Sequence, residues 1–194
     1  MSFPLSTPSA VPAGTLTTGP QPTLSTADGL VLRPWEDGDV PAVLAAYRDP
    51  EIRRWHTRRP ASEDQVLDWF AHLHRAWQQE TGAGWAVTRD GAVVGRMALG
   101  GFNLDDGEAG CAYWVVPAAR GTGVASGALR ALSAWALGEG RLHRLWLDHS
   151  TRNVASCRVA VKAGYRLEGT KRSAAVHDDG RHDMHLHARV RGDG

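Results

Sequence analysis

The stretch that decides the fold is Val115-Val116-Pro117-Ala118-Ala119-Arg120-Gly121-Thr122-Gly123-Val124-Ala125. An apolar strand stops at Pro117 and a turn with two glycines follows. A helical stripe of Val124, Ala125, Ala128, Leu129, Leu132, Trp135 and Ala136 then begins at once. The first N–H groups of a helix have no intrahelical acceptor, and the helix dipole adds partial positive charge there. Strand, turn and helix together are therefore a cradle for an anion of the pyrophosphate type. Glycine also lets a phosphate approach the backbone with no Cβ in between. Two common phosphate loops do not account for the run. No Lys-Ser or Lys-Thr follows the glycines, and Ser126 stands where a dinucleotide fingerprint needs its third glycine or alanine. Taken alone, a Gly-x-Gly of this kind also reads as a ligand-free tight turn.

Outward from this unit the elements order themselves. Upstream, Leu30-Val31-Leu32-Arg33 reads as a strand, Asp39 as the cap of a first helix, and Ser62 with Gln65 as the start of a second. Trp85–Thr88 and Val93–Leu99 flank Asp90-Gly91, a hairpin signal, and Cys111–Val116 is the next strand. Downstream come a strand at Leu145–Leu147, a helix capped by Asn153 and ending at Gly164, and two strands near 165–172 and 182–190. The order β-α-α-β-β-β-α-β-α-β-β implies a single α/β domain built on a mixed sheet.

Composition narrows the function. The 194 residues suffice for one ordinary domain, and 42% hydrophobic with 22% charged residues is globular. Twenty-two basic against 21 acidic side chains give a net charge of +1, no field that argues for nucleic acid or an anionic membrane as partner. Cys111 and Cys157 lack metal-ligand spacing and fit a reducing, cytoplasmic compartment. Residues 1–25 carry five prolines among Ser, Thr, Ala and Gly and no basic residue, so the expectation is a flexible tail rather than a targeting signal. The domain is expected over 26–190, with a short C-terminal tail at 191–194.

Several motifs together resemble the GNAT superfamily of N-acetyltransferases, in the RimJ/RimL-like branch that acetylates ribosomal-protein N-termini. Arg120-x-x-Gly123-x-Ala125 resembles its acetyl-CoA pyrophosphate loop. Asn153-Val154-Ala155-Ser156 followed by Lys162, Gly164 and Tyr165 resembles the branch's late helix. Leu167–Arg172, Leu30–Trp35 with Asp49-Pro50-Glu51, and Tyr113-Trp114-Val115 match further segments in the right order. The resemblance implies a sheet splayed between its two middle strands, with the pantetheine arm in the opening. It implies that acetyl-CoA is held by Tyr113, Trp114, Val115, Val116, Arg120, Gly121, Thr122, Gly123, Val124, Ala125, Asn153 and Ser156. Asn153 reads equally as a plain helix cap.

The implied reaction is direct attack of a primary amine, on a protein N-terminus or a small molecule, upon the thioester. Many relatives supply a tyrosine as general acid where Ala160 stands here. The resemblance to the RimJ/RimL-like branch, where the serine of Asn-x-x-Ser is proposed for that role, points to Ser156, which reads equally as an ordinary first-turn helix serine. Glu108 and His149 are alternative general bases: the first by strand alternation near Gly110, where the branch often has a carboxylate, the second by its ordinary pKa. Transfer of another acyl group, or acyl-CoA binding without catalysis, are the rival functions. Asp183, His185 and His187 share a strand face, but no other element clearly supplies further ligands, so no metal is expected and a polar face is. The oligomeric state is read as monomer or homodimer.

Overall fold

A computed structural model describes residues 7–193. Eight strands form one sheet: β1 (Leu24–Ser25), β2 (Leu30–Pro34), β3 (Gly82–Arg89), β4 (Ala92–Asn103), β5 (Glu108–Val115), β6 (Arg144–Ser150), β7 (Arg166–His177) and β8 (Gly180–Val190). They lie in the order β1-β2-β3-β4-β5-β6-β8-β7. Among the described strands only β5 and β6 run parallel. The helices are α1 (Val40–Ala46), α2 (Pro50–Trp55), α3 (Glu63–Gln78), α4 (Val124–Leu137) and α5 (Val154–Lys162). The expected order is present, with β1 and α2 as additions.

Local signals explain most of these elements. Ser62 Oγ accepts from the Gln65 backbone N–H, and the Gln65 side chain accepts from the Ala61 N–H, closing the start of α3. Asp90 and Gly91 both have positive φ, 50° and 78°, as the tight turn between β3 and β4 demands. Strand alternation then sorts side chains onto two faces. Trp85 and Val87 of β3 point into the core under α4, while Ala86 between them joins Trp35, Phe70 and Trp114 under α1–α3.

The sheet opens in its middle. β5 pairs with β6 only at Glu108↔Arg144, Ala109↔Leu145 and Gly110↔Trp146. Beyond that point β5 stays with β4 as far as Val115, and β6 stays with β8 as far as Ser150. A Cβ on Gly110 would lie 2.7 Å from Cζ2 of Trp146, so the indole fills the space beside residue 110.

β7 forms the outer edge. Its register against β8 jumps from Lys171↔Met184 to Ala175↔His182. Ser173, in the bulge, has φ 50° and donates its N–H to Asp183 Oδ1 at 2.7 Å.

The N-terminal segment departs from the flexible tail expected of its composition. Residues 1–6 lie outside the described residues, but the rest of the segment packs on the body. Val11 is fully buried and Leu16 nearly so, both in the core under α4. The Glu80 carboxylate accepts the N–H groups of Gly14 (2.6 Å) and Leu16 (2.7 Å). Ala10 and Val11 donate to the carbonyls of Asp105 and Leu104, and Trp85 Nε1 donates to Pro22. Backbone donors that would otherwise stay wet are thus satisfied by groups remote in sequence. Two buried apolar side chains contribute ~1.5–3 kcal/mol each. Deleting residues 1–19 should therefore lower Tm by roughly 5 °C or more, read by thermal unfolding.

Candidate active site

Where β5 and β6 part, a cleft of about 360 Å³ opens. Its walls come from four places: β5 at Tyr113–Val115, the loop and start of α4 from Ala119 to Ser126, the first two turns of α5, and Glu51, Ile52, Trp55 and His56 of α2 and its end. Of the residues expected to hold acetyl-CoA, Tyr113, Trp114, Val115, Arg120, Gly121, Gly123, Val124, Ala125, Asn153 and Ser156 line it. Val116 and Thr122 do not. The Val116 N–H is taken by the Val94 carbonyl and the Thr122 hydroxyl by the Ala119 carbonyl.

The floor of the loop is backbone. Gly123 caps α4 at φ 87°, and no side chain caps that helix. The space beside Gly121 and Gly123 is open: a Cβ on either would meet nothing within 4 Å. The first N–H groups of α4 therefore face a cleft with no side-chain cap competing for them, the arrangement that favours an anion. Arg120 is differently placed than expected. Its guanidinium pairs with Asp49, the N-cap of α2, and its Nε donates to the Val115 carbonyl at 3.2 Å. It ties α2 to the loop while lining the cleft.

Asn153 accepts the Ser156 N–H at 3.0 Å through Oδ1, so it is a helix cap and also part of the cleft wall. Ser156 Oγ lies 2.7 Å from the Tyr113 hydroxyl. Burial pushes the Tyr113 phenol far above its ordinary range, opposed by the Ser156 hydrogen bond, so the phenol keeps its proton. The sequence motifs do not announce this pairing, because Tyr113 and Ser156 lie 43 residues apart.

The sequence motifs also pass over His56. Its Nε2 lies 3.1 Å from the Tyr113 carbonyl, on the edge of β5 that β6 has left. Burial, then Arg96, pulls its pKa down to about 4. The neutral ring donates to that carbonyl.

Neither expected base reaches the cleft. Glu108 is ion-paired with Arg144 at 3.4 Å, and Arg144 also holds Glu168. The position two residues on, Gly110, has its side-chain space filled by Trp146, so β5 offers no room for a carboxylate there. His149 is buried under α5, its Nδ1 2.9 Å from the Ser150 carbonyl. It meets Cys157, His185 and His187 there, so the strand face expected to be merely polar gains ligand-type atoms from two other elements.

A profile described as "Acetyltransferase (GNAT) domain" matches residues 29–166. The chain belongs to the GNAT acetyltransferases. Membership makes it an acetyl-CoA-dependent N-acetyltransferase. Among curated relatives, the "uncharacterized N-acetyltransferase YoaA" of Bacillus subtilis is 23% identical over 167 residues, spanning 84% of this chain and 94% of that protein. Among solved structures, a RimL ribosomal L7/L12 alpha-N-protein acetyltransferase in complex with coenzyme A superposes with a TM-score of 0.83 at 18% identity, covering 89% of this chain and all of that one. Mycobacterium smegmatis RimJ with CoA-disulfide gives 0.78 at 21% identity, covering 87% and 86%. The structural neighbours are thus of the RimL and RimJ kind, as the sequence motifs indicate.

Two outcomes follow from this geometry. Gly123→Val places a branched side chain at positive φ in front of the free N–H groups, so acetyl-CoA affinity should fall at least tenfold, about 1.4 kcal/mol, by calorimetric titration. His56 binds its proton less readily folded than unfolded, where its pKa is about 6.5. Its stabilising contribution is therefore present above pH ~6.5 and is lost as pH falls toward 4. The acid-side fall in stability should be shallower over that window in His56→Gln, by denaturant titration at several pH values.

Proposed function

We propose that this enzyme acetylates the α-amino group of a protein or peptide. The pyrophosphate would rest on the Gly121–Gly123 loop and the start of α4, and the pantetheine arm would run along the vacated edge of β5. Residues of an antiparallel strand turn their N–H and C=O to the same side. The Tyr113 carbonyl faces His56, so its N–H faces the opening as well and is placed to polarise the thioester carbonyl as oxyanion charge develops.

Attack forms the C–N bond, the C–S bond breaks, and the proton lost by the amine ends on the CoA sulfur. The hydroxyl pair of Tyr113 and Ser156, 2.7 Å apart in the cleft wall, is the observation that carries this reading. A buried phenol with a raised pKa does not surrender its proton outright to a thiolate; it holds Ser156 as a hydrogen-bond donor to the departing sulfur. This hydroxyl pair stands in for the tyrosine that Ala160 lacks.

The acceptor class follows from the missing base. Glu108 and His149 lie outside the cleft, and His56 is held neutral with too low a pKa to take a proton from an ammonium efficiently. Glu51, the carboxylate lining the cleft, is exposed and stands 4.0 Å from Arg54. An acceptor that is already partly neutral suits such a site. An α-amino group ionises near 7.7–8.0 and a lysine side chain near 10.4, and the RimL relative acts on an alpha-N-protein substrate. Two free thiols and the absence of any membrane-crossing helix among the described residues accord with work in the cytoplasm.

At pH 7 the two amine classes differ by roughly 200- to 400-fold in neutral fraction. N-terminal peptides should accordingly exceed lysine-only acceptors by about that factor in kcat/KM, measured by thiol release. A lysine acceptor turning over equally well would refute the assignment. Ser156→Ala should lower kcat about ten- to a hundredfold with acetyl-CoA Kd little changed, and Tyr113→Phe should lower kcat in the same direction by less.

A further inference from the structure

Behind the Ser156 wall lies a cluster that acetyl transfer does not use. His149 of β6, Cys157 of α5, and His185 and His187 of β8 each bring one ligand-type atom to within 4.8 Å of the others. None of the four lines the cleft. Cys157 Sγ and His187 Nε2 already stand 3.7 Å apart. Ligand atoms of a tetrahedral zinc site, with bonds of 2.0–2.3 Å, sit roughly 3.3–3.7 Å from one another. The most separated of the remaining side chains need to close by roughly 1.5 Å at most.

The state of the rings points to a ligand rather than to packing alone. His149 Nδ1 lies 2.9 Å from the Ser150 carbonyl, which accepts its proton and leaves the lone pair on Nε2. That Nε2 is buried and has no hydrogen-bond partner. A backbone carbonyl fixing one ring nitrogen while the other stays bare is how metal-bound histidines are held. His185 Nδ1 is likewise buried and unpartnered, while His187 turns Nε2 toward the Cys157 thiol. Two orphaned imidazole nitrogens beside that contact are costly unless something fills the centre. The rings of His149 and His187 stack at 5.1 Å, and His185 stands edge-on to His149 at 5.4 Å.

We propose that His149, Cys157, His185 and His187 bind one zinc-class divalent metal ion in a closed site that pins the first turns of α5 to strands β6 and β8. Binding exchanges the Cys157 thiol proton for the metal and changes no oxidation state. Three imidazoles and a thiolate in tetrahedral array suit zinc among the abundant divalent metals. With four protein ligands no position is left for substrate, so the ion is structural. Its effect on function passes through Ser156, the neighbour of Cys157, whose wall it would hold against the open side of the sheet.

The test needs no acetyl transfer, so it stands or falls apart from the proposed reaction. The full-length protein is stripped with chelator and titrated with Co²⁺, then with Zn²⁺. The expected result is saturation at one ion per chain, tetrahedral cobalt absorption with a thiolate-to-cobalt charge-transfer band, displacement by Zn²⁺, and a rise in Tm with Zn²⁺. Cys157→Ser should lose the charge-transfer band. His149→Gln should weaken binding by at least the ten- to hundredfold that loss of a supporting hydrogen bond costs a metal site. Failure to saturate at one ion, octahedral cobalt without a thiolate band, or an unchanged band in Cys157→Ser overturns the proposal. The wild-type titration decides even if a variant does not fold.

Discussion

The early end of the parallel contact between β5 and β6 is the constraint on which the rest depends. Three register pairs hold the strands together, and the Trp146 indole lies across Gly110 at the last of them. Past that point each strand follows its own antiparallel partner. A sheet that stayed closed would satisfy the backbone of Tyr113 and Val115 by ordinary pairing. Because it opens, those groups become available to side chains and ligands. His56 takes the Tyr113 carbonyl and Arg120 the Val115 carbonyl. The helix that carries Asp49's partner loop and the helix that ends at His56 are therefore fastened to the two ends of one exposed edge.

That fastening joins the two halves of the site. Asp49 caps α2 and also pairs with Arg120 in the glycine loop. A displacement of α2 by an acceptor would be felt in the loop beneath the cofactor. On the opposite wall, Asn153 organises the first turn of α5, and the Ser156 hydroxyl reaches back to β5 through Tyr113. The cleft is thus closed at both sides by contacts made from β5 itself.

Much of this was legible in the sequence, for identifiable reasons. The α4 stripe, the Ser62 and Asn153 caps and the Asp90-Gly91 turn are local signals, and each sits where it was expected. The glycine loop, Asn153, Ser156 and the β5 edge could be read because they lie in short contiguous motifs. The misses are non-local. Alternation put Glu108 on the correct face in principle but could not show Arg144 beside it, nor Trp146 in the place of a carboxylate. His149 had a suitable ordinary pKa, yet burial among other histidines depends on the β6–β8 register. The N-terminal segment has too few apolar residues to announce a core contact. Its order comes from Glu80, more than sixty residues away, whose carboxylate collects two of its N–H groups. The six residues of α2 are too few for a periodic pattern.

The bulge in β7 has a bearing on how the molecule behaves in a crowd. An eight-stranded open sheet has two edges, and each offers unpaired N–H and C=O groups to any passing strand. Here β1 is only two residues long, which leaves little to template against. β7 is twelve residues long and largely exposed, a length that would invite edge-to-edge growth were it flat. The three-residue excursion at Arg172–Ala174, with Ser173 in left-handed backbone, breaks that line, and Arg172 sets positive charge on it. The edge is thereby made a poor mould for copying, long though the strand is.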